Sequence, residues 1–230
     1  MIGTLYLVAT PIGNLEDFTL RGMRVIREAD IVVVEERKEG SRLLRHLGIE
    51  KPVETLNEHN EVASTEIILG HLRAGKHVAV VSDAGTPIFS DPGQLLVEKA
   101  AAMGIHVVPV PGASSLMPAL TVSGFAIDQF IFFGFLSPKR NRRITELQQV
   151  KRELRTTVIM EAPYRLVQLM RDMADVFGGS RRICVAFDLT LPDEEIFRGT
   201  APELFRKFEK EGRKGEFVVI VEGQRRSQSA

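Results

Sequence analysis

Four short apolar runs, each ending in a polar loop, constrain this chain more than any other feature. Residues 5–9, 31–34, 77–81 and 105–110 are dominated by Val, Ile, Leu and Ala with little polar alternation. A strand that is apolar along its whole length must be covered on both faces, which points to a parallel sheet flanked by helices. Helical patterns fall between the runs: 19–29, with Leu20, Met23 and Ile26 in register, then 41–47, stopped by Gly48, then 60–72 and 93–103. Asn60 stands where a cap would, Gly75 lies just past its helix, and a further helix starts near Ala113. Sheets of this kind gather ligands beyond the C-terminal ends of their strands. The informative loops are therefore 10–14, 35–38, 82–92 and 109–115.

The order changes near residue 120. Strands are expected at 127–134, 156–160, 182–187, 194–198 and 216–221, and helices at 144–154, 163–177 and 202–211. The strand at 127–134 takes in most of a Phe-rich stretch and reads as buried, and 137–143 reads as a basic loop. The less regular order predicts a mixed sheet with antiparallel pairs. The expected fold class is α/β, with an N-terminal α/β domain over 1–115 carrying the parallel sheet. A C-terminal α/β domain follows over 116–223, then a polar tail over 224–230. A length of 230 residues suits one or two domains.

Net charge is +0, which excludes a polybasic nucleic-acid coat, but it hides an asymmetry. Residues 1–115 carry 11 basic and 15 acidic side chains, whereas 116–230 carry 19 and 15. Seven basic residues and only two acidic ones, Glu146 and Glu153, lie between Lys139 and Arg155. Lys139, Arg140, Arg142 and Arg143 could neutralise phosphates, and a solvated loop is the plain alternative.

Other motifs narrow the chemistry. Ser82-Asp83-Ala84-Gly85-Thr86-Pro87 sets a carboxylate and bare backbone amides at a strand end, suited to a small molecule with hydroxyls and an amine; a structural turn would look the same. No glycine fingerprint follows the first strand, and Thr10-Pro11-Ile12-Gly13-Asn14 lacks the lysine of a phosphate-binding loop, so nicotinamide cofactors and ATP hydrolysis are poorly supported. Glu58-His59-Asn60-Glu61 is a weak metal or general-base cluster. The five histidines do not pair at metal spacing, and no metal is expected. Cys184 is the lone cysteine, which excludes a disulfide framework and a four-cysteine zinc site. Ser114 and Ser115 have no assignable His and Asp partners for a hydrolase. Glu161-Ala162-Pro163-Tyr164-Arg165 offers a ligand contact or a helix cap, and Lys214-Gly215-Glu216 a charged hairpin or edge. No apolar stretch reaches the length of a membrane helix, and a cytoplasmic location is expected.

In combination these segments resemble a known family. YLVATPIGNLEDFTLRG (6–22), NEHNE (57–61), VVSDAGTPIFSDPG (80–93), GIHVVPVPGASS (104–115), ALTVSG (119–124), FGFLSPK (133–139), EAPYR (161–165) and KGEFVVIVE (214–222) resemble, in order, the small-subunit ribosomal-RNA cytidine 2′-O-methyltransferases. These belong to the tetrapyrrole-methylase-like class of S-adenosylmethionine enzymes. The resemblance implies two α/β domains with the cofactor in the cleft between them, a homodimer, and ribosomal RNA or the small ribosomal subunit as partner. It implies cofactor contacts at Asp83, Ala84, Gly85, Ile88, Ser114 and Ser115, then at Met160, Glu161, Ala186, Gly215 and Glu216. RNA contacts would fall to Asn14, Arg37, Lys38, Lys139, Arg140, Arg142 and Arg143. Glu36, Glu58, His59 and Asp188 are the candidate proton acceptors.

Three departures stand out. Glu35-Glu36-Arg37-Lys38 replaces the family's Glu-Asp-Thr-Arg, and Phe187-Asp188-Leu189-Thr190-Leu191 replaces Arg-Glu-Leu-Thr-Lys. Many members continue into a helical tail domain, whereas this sequence stops at Ala230. Two alternatives therefore stay open: methyl transfer to a tetrapyrrole-like or other small acidic substrate, and a non-catalytic cofactor- or RNA-binding protein.

Overall fold

A computed structural model describes residues 2–224, which form two compact units, 1–114 and 115–230 by chain position. The expected tail at 224–230 lies, from 225 onward, outside the described residues.

The first unit is built on a five-stranded sheet in the order β3-β2-β4-β1-β5, parallel throughout. Its strands are β1 (Thr4–Val8), β2 (Ile31–Val34), β3 (Val53–Thr55), β4 (Val78–Val81) and β5 (His106–Val110). The central strands are apolar at almost every position because each face has its own core. Ile31, Val33, Val78 and Val80 face α3 (Glu61–Arg73) and α4 (Gln94–Ala102). Val32, Val34, Ala79 and Val81 face α1 (Leu20–Glu28) and α2 (Arg37–His46). Gly40 lets α2 approach β2, since a Cβ there would lie 2.3 Å from Val34 Cγ1. The helix expected at 41–47 thus begins four residues earlier, within the charged loop. Asn60 precedes α3 as expected, yet its side chain makes no cap bond: it accepts from Asn57 N–H and donates to Thr55.

The second unit holds a mixed sheet in the order β6-β7-β10-β8-β9. These are β6 (Phe130–Phe135), β7 (Thr156–Met160), β8 (Arg182–Phe187), β9 (Glu195–Thr200) and β10 (Phe217–Val221). Only β6 and β7 pair in parallel. α5 (Leu116–Ser123) packs on β8 and β10. α6 (Arg140–Arg152), α7 (Leu166–Phe177) and α8 (Ala201–Glu211) build the main core on Phe187, Phe197 and Phe208.

Three expectations are corrected here. The Phe-rich strand is not buried: β6 is an edge strand, with Phe135 57% exposed. Residues 140–143 are not a loop but the first turn of α6. Lys214-Gly215-Glu216 is no hairpin, because the residues join α8 to β10, between β7 and β8.

Candidate active site

The β1 and β4 strand-end loops are tied together. Thr10 and Gly85 form an isolated antiparallel bridge, with N–H to O distances of 2.9 and 3.0 Å, and Thr10 Oγ1 donates to the Ser82 carbonyl. Gly85 has φ +86°, and a Cβ there would sit 3.3 Å from Ile12 and 3.9 Å from Ser114 Cα. Glycine is what permits both the left-handed turn and the close approach. The amides of this loop are not bare, as the sequence suggested. Gly85 N–H donates to Thr10, and Ala84 N–H donates to Ser82 Oγ at 3.2 Å. They hold the loop, while Asp83 presents an exposed carboxylate. Ile88 and Ser90 both have positive φ, 70° and 68°. Left-handed backbone is costly for a β-branched residue and concentrates at ligand sites.

Asp83 stands on the wall of an open cavity of about 620 Å³. The other walls are Thr10, Pro11, Ile12, Gly13 and Leu15, then Glu39, Arg42, Arg45 and His46 of α2. Asn14 belongs to the same loop, where its side chain accepts from Glu16 N–H. The volume suits a nucleoside-sized ligand.

Carboxylates crowd the neighbouring strand ends. Glu35, at the end of β2, is half-buried, and its pKa is pushed up to about 7 by loss of water and then by the charges of Asp91, Asp83, Glu36 and Glu58. Asp83 is raised too, first by desolvation and then by Glu36, Glu39 and Asp91, although the Glu36 backbone N–H opposes the shift. Burial raises Asp91, against a 2.6 Å hydrogen bond from Ser82 Oγ. The half-buried carboxylate is Glu35, whereas Glu36, the expected proton acceptor, is exposed. In a strand covered on both faces, alternation does not say which of two adjacent carboxylates turns inward. Glu36 is the exposed residue before α2, and Glu58 and His59 are exposed in the loop after β3.

In the second unit, Met160 and Ala186 flank Val218 on opposite sides of β10. Asp188, proposed as a proton acceptor, is instead committed to structure. Its Oδ1 accepts from Glu216 N–H at 3.0 Å, its own N–H donates to the Glu216 carbonyl, and its carboxylate fills the space a Cβ on Gly215 would need. Glu216 is raised by desolvation and by Asp188. The Glu161 side chain is withdrawn from solvent, ion-paired with Arg165 at 3.0 Å, and its Oε1 accepts from Ala162 N–H.

The basic segment is likewise spent internally. Arg143 is buried, pairs with the fully buried Asp172 at 2.7 Å, and donates to the carbonyls of Ser137 and Pro138. It cannot reach a phosphate without abandoning those partners, so its assignment to RNA is withdrawn. Arg140 binds Asp172 and Asp175, and Arg142 binds Glu146. Lys139 remains exposed.

Among the described residues, no group of three or more His, Cys, Asp or Glu is placed to hold a metal. No helix among them is long and apolar enough to cross a membrane.

A doubly covered parallel sheet, with a carboxylate-bearing loop turned by Gly85 at its strand ends, defines an α/β protein whose polar loops gather at one end of the sheet. Residues 4–204 match the model of the Tetrapyrrole (Corrin/Porphyrin) Methylases, and the chain belongs to that family. It is 45% identical, over 96% of its length and 79% of the relative's, to Ribosomal RNA small subunit methyltransferase I of Pseudomonas aeruginosa. It is 42% identical to the protein of the same name from Thermotoga maritima, over 97% of this chain and all of that one. Among solved structures, cobalt precorrin-4 methyltransferase shares the fold at TM-score 0.70 and 18% identity, covering 95% of this chain and 94% of that one.

Proposed function

We infer that this chain is an S-adenosylmethionine-dependent methyltransferase acting on small-subunit ribosomal RNA. The observation that carries the reading is 45% identity across 96% of the chain to a protein named for that activity. The finer target is the ribose 2′-hydroxyl of a cytidine, the substrate implied by the motifs at 6–22 and 57–61.

The residues present fit the cofactor. Asp83 sets an exposed carboxylate on the loop after β4, matched to an amine or to ribose hydroxyls. Family resemblance proposes cofactor contacts at Asp83, Ala84, Gly85, Ile88, Ser114 and Ser115, and at Met160, Glu161, Ala186, Gly215 and Glu216. When bound, it supplies a methyl group already attached to a good leaving group. The protein's work is to align the acceptor oxygen and exclude water. It must also take the hydroxyl proton as the bond forms. Glu35 is the proposed acceptor: it stands at the end of β2 in a small hollow with Ser82, Ile88 and Asp91, and burial and neighbouring charges raise its pKa toward neutral. The proton it accepts passes to solvent. Asn14, Arg37 and Lys38 are proposed RNA contacts. By family resemblance the protein is proposed to be a cytoplasmic homodimer; sedimentation at micromolar concentration should give twice 25.6 kDa.

The test is transfer of labelled methyl to small ribosomal subunits from cells lacking this gene. Digestion to nucleosides should place the label in 2′-O-methylcytidine. Label in a base would contradict the 2′-hydroxyl target. Label in a porphyrinoid and not in RNA would overturn the substrate class.

A further inference from the structure

Seven of the eleven basic residues in 1–115 lie between Arg21 and Arg45, in an otherwise acidic half of the chain. Four of them are on α2. Lys38, Arg42 and Arg45 are spaced i, i+4, i+7, which aligns them in one stripe along the helix. All three are exposed. Lys38 and Arg45 make no ion pair among the described residues, and Arg42 has only Glu39 at 3.7 Å, on a side chain 83% exposed. Exposed pairs of this sort hold loosely and are readily exchanged.

Helix electrostatics does not account for the stripe. Cations stabilise a helix near its C-terminus and oppose it near the N-terminus. Arg45 fits that rule, but Lys38 lies in the first turn, where its charge is unfavourable. Arg42 and Arg45 also line the cavity of about 620 Å³, together with Ile12, Gly13 and Asp83. A concave space of nucleotide size with cations on one wall matches a nucleotide held through its backbone.

We propose that the Lys38-Arg42-Arg45 stripe of α2 is the phosphate track of the RNA site, seating the nucleotide next to the target in the adjoining cavity. The inference rests on the ribosomal-RNA reading. Phosphates run along the cationic wall, where they displace the loose Glu39 contact of Arg42, and away from Asp83, which would repel them.

The test is binding of deproteinised small-subunit ribosomal RNA at several salt concentrations by the wild type, R42Q/R45Q and R42K/R45K. For R42Q/R45Q, affinity near physiological salt should fall at least about tenfold, and the log–log salt slope should shrink by roughly 1.5 units for two lost phosphate contacts. R42K/R45K should restore most of the slope, because lysine keeps the charge. S-adenosylmethionine affinity by calorimetry should stay within about threefold, since charge effects away from contact are screened. Thermal melting confirms that each variant is folded. If the wild type binds and methylates RNA but a folded R42Q/R45Q keeps both affinity and slope, the stripe is not the track, although the enzymatic reading stands. If the wild type neither binds nor methylates RNA, both readings fall.

Discussion

Helices α2 and α6 look alike in sequence and differ in what their charges do. Each opens on a cationic run, Arg37-Lys38 in one and Arg140 to Arg143 in the other. On α6, Arg143 is buried against Asp172 and Arg140 binds Asp172 and Asp175 of α7, while Arg142, itself exposed, pairs with Glu146 of its own helix. On α2 the cations stay exposed beside a cavity. A basic run is thus a binding surface only where no nearby carboxylate has claimed it. The deciding residue can be far away in the chain: Asp172 is 29 residues beyond Arg143.

The largest expected effect tests the α6 half of this contrast. Asp172→Ala leaves Arg143 buried without its partner, and losing one member of a buried pair costs about 3–5 kcal/mol. Urea unfolding should show that loss; a change below about 1 kcal/mol would mean the arginine relaxes to solvent. Next comes the seating of α2. Gly40→Ala brings a methyl within 2.3 to 2.9 Å of the three Val34 side-chain carbons, and overpacking of this kind costs about 1–3 kcal/mol. The measurement is again the unfolding midpoint, and an unchanged value would place α2 further from β2. Asp83→Ala should weaken S-adenosylmethionine binding by about 1–3 kcal/mol, the scale of a charged hydrogen bond. Unaltered calorimetric affinity in a folded variant would remove Asp83 from the cofactor site.

The pH prediction is smaller. Glu35 has a folded pKa of about 7, above its ordinary 4.5, so the unfolded chain gives up this proton first. Its contribution therefore favours folding less and less as pH rises from 4.5 to 7, and the loss is complete above that window. With allowance for solvent screening, Glu35→Gln should stabilise the protein at pH 8 by about 1 kcal/mol and change little at pH 4. Equal effects at both pH values would show that Glu35 is not perturbed. The smallest effect closes the comparison: Arg42→Ala should shift stability by no more than about 0.5 kcal/mol, as exposed substitutions do, in contrast to Asp172→Ala.

Much of the first sheet could be read from the sequence, because unbroken apolar strands have one common solution, a sheet covered on both sides. Strand order in the second unit could not. The Phe-rich run of β6 looks like a core strand, and only its place at the sheet edge exposes Phe135. The strand-end loops carried the site in outline, yet not its hydrogen bonds. The amides of Ala84 and Gly85 appear open until Ser82 and Thr10 are seen to take them. Asp188 looked like a base until its bond to Glu216 N–H emerged, and Glu35 could not be told from Glu36. In each case the missing information was a long-range partner, which local pattern does not carry.

The contrast between the two helices is tested most directly by ultraviolet cross-linking of the protein to small-subunit ribosomal RNA, followed by mass mapping of the cross-linked peptides. Cross-links should fall on residues 10–15 and on α2, Arg37–His46, and spare the paired arginines at 140–143. Cross-links on α6 with none on α2 would contradict the account.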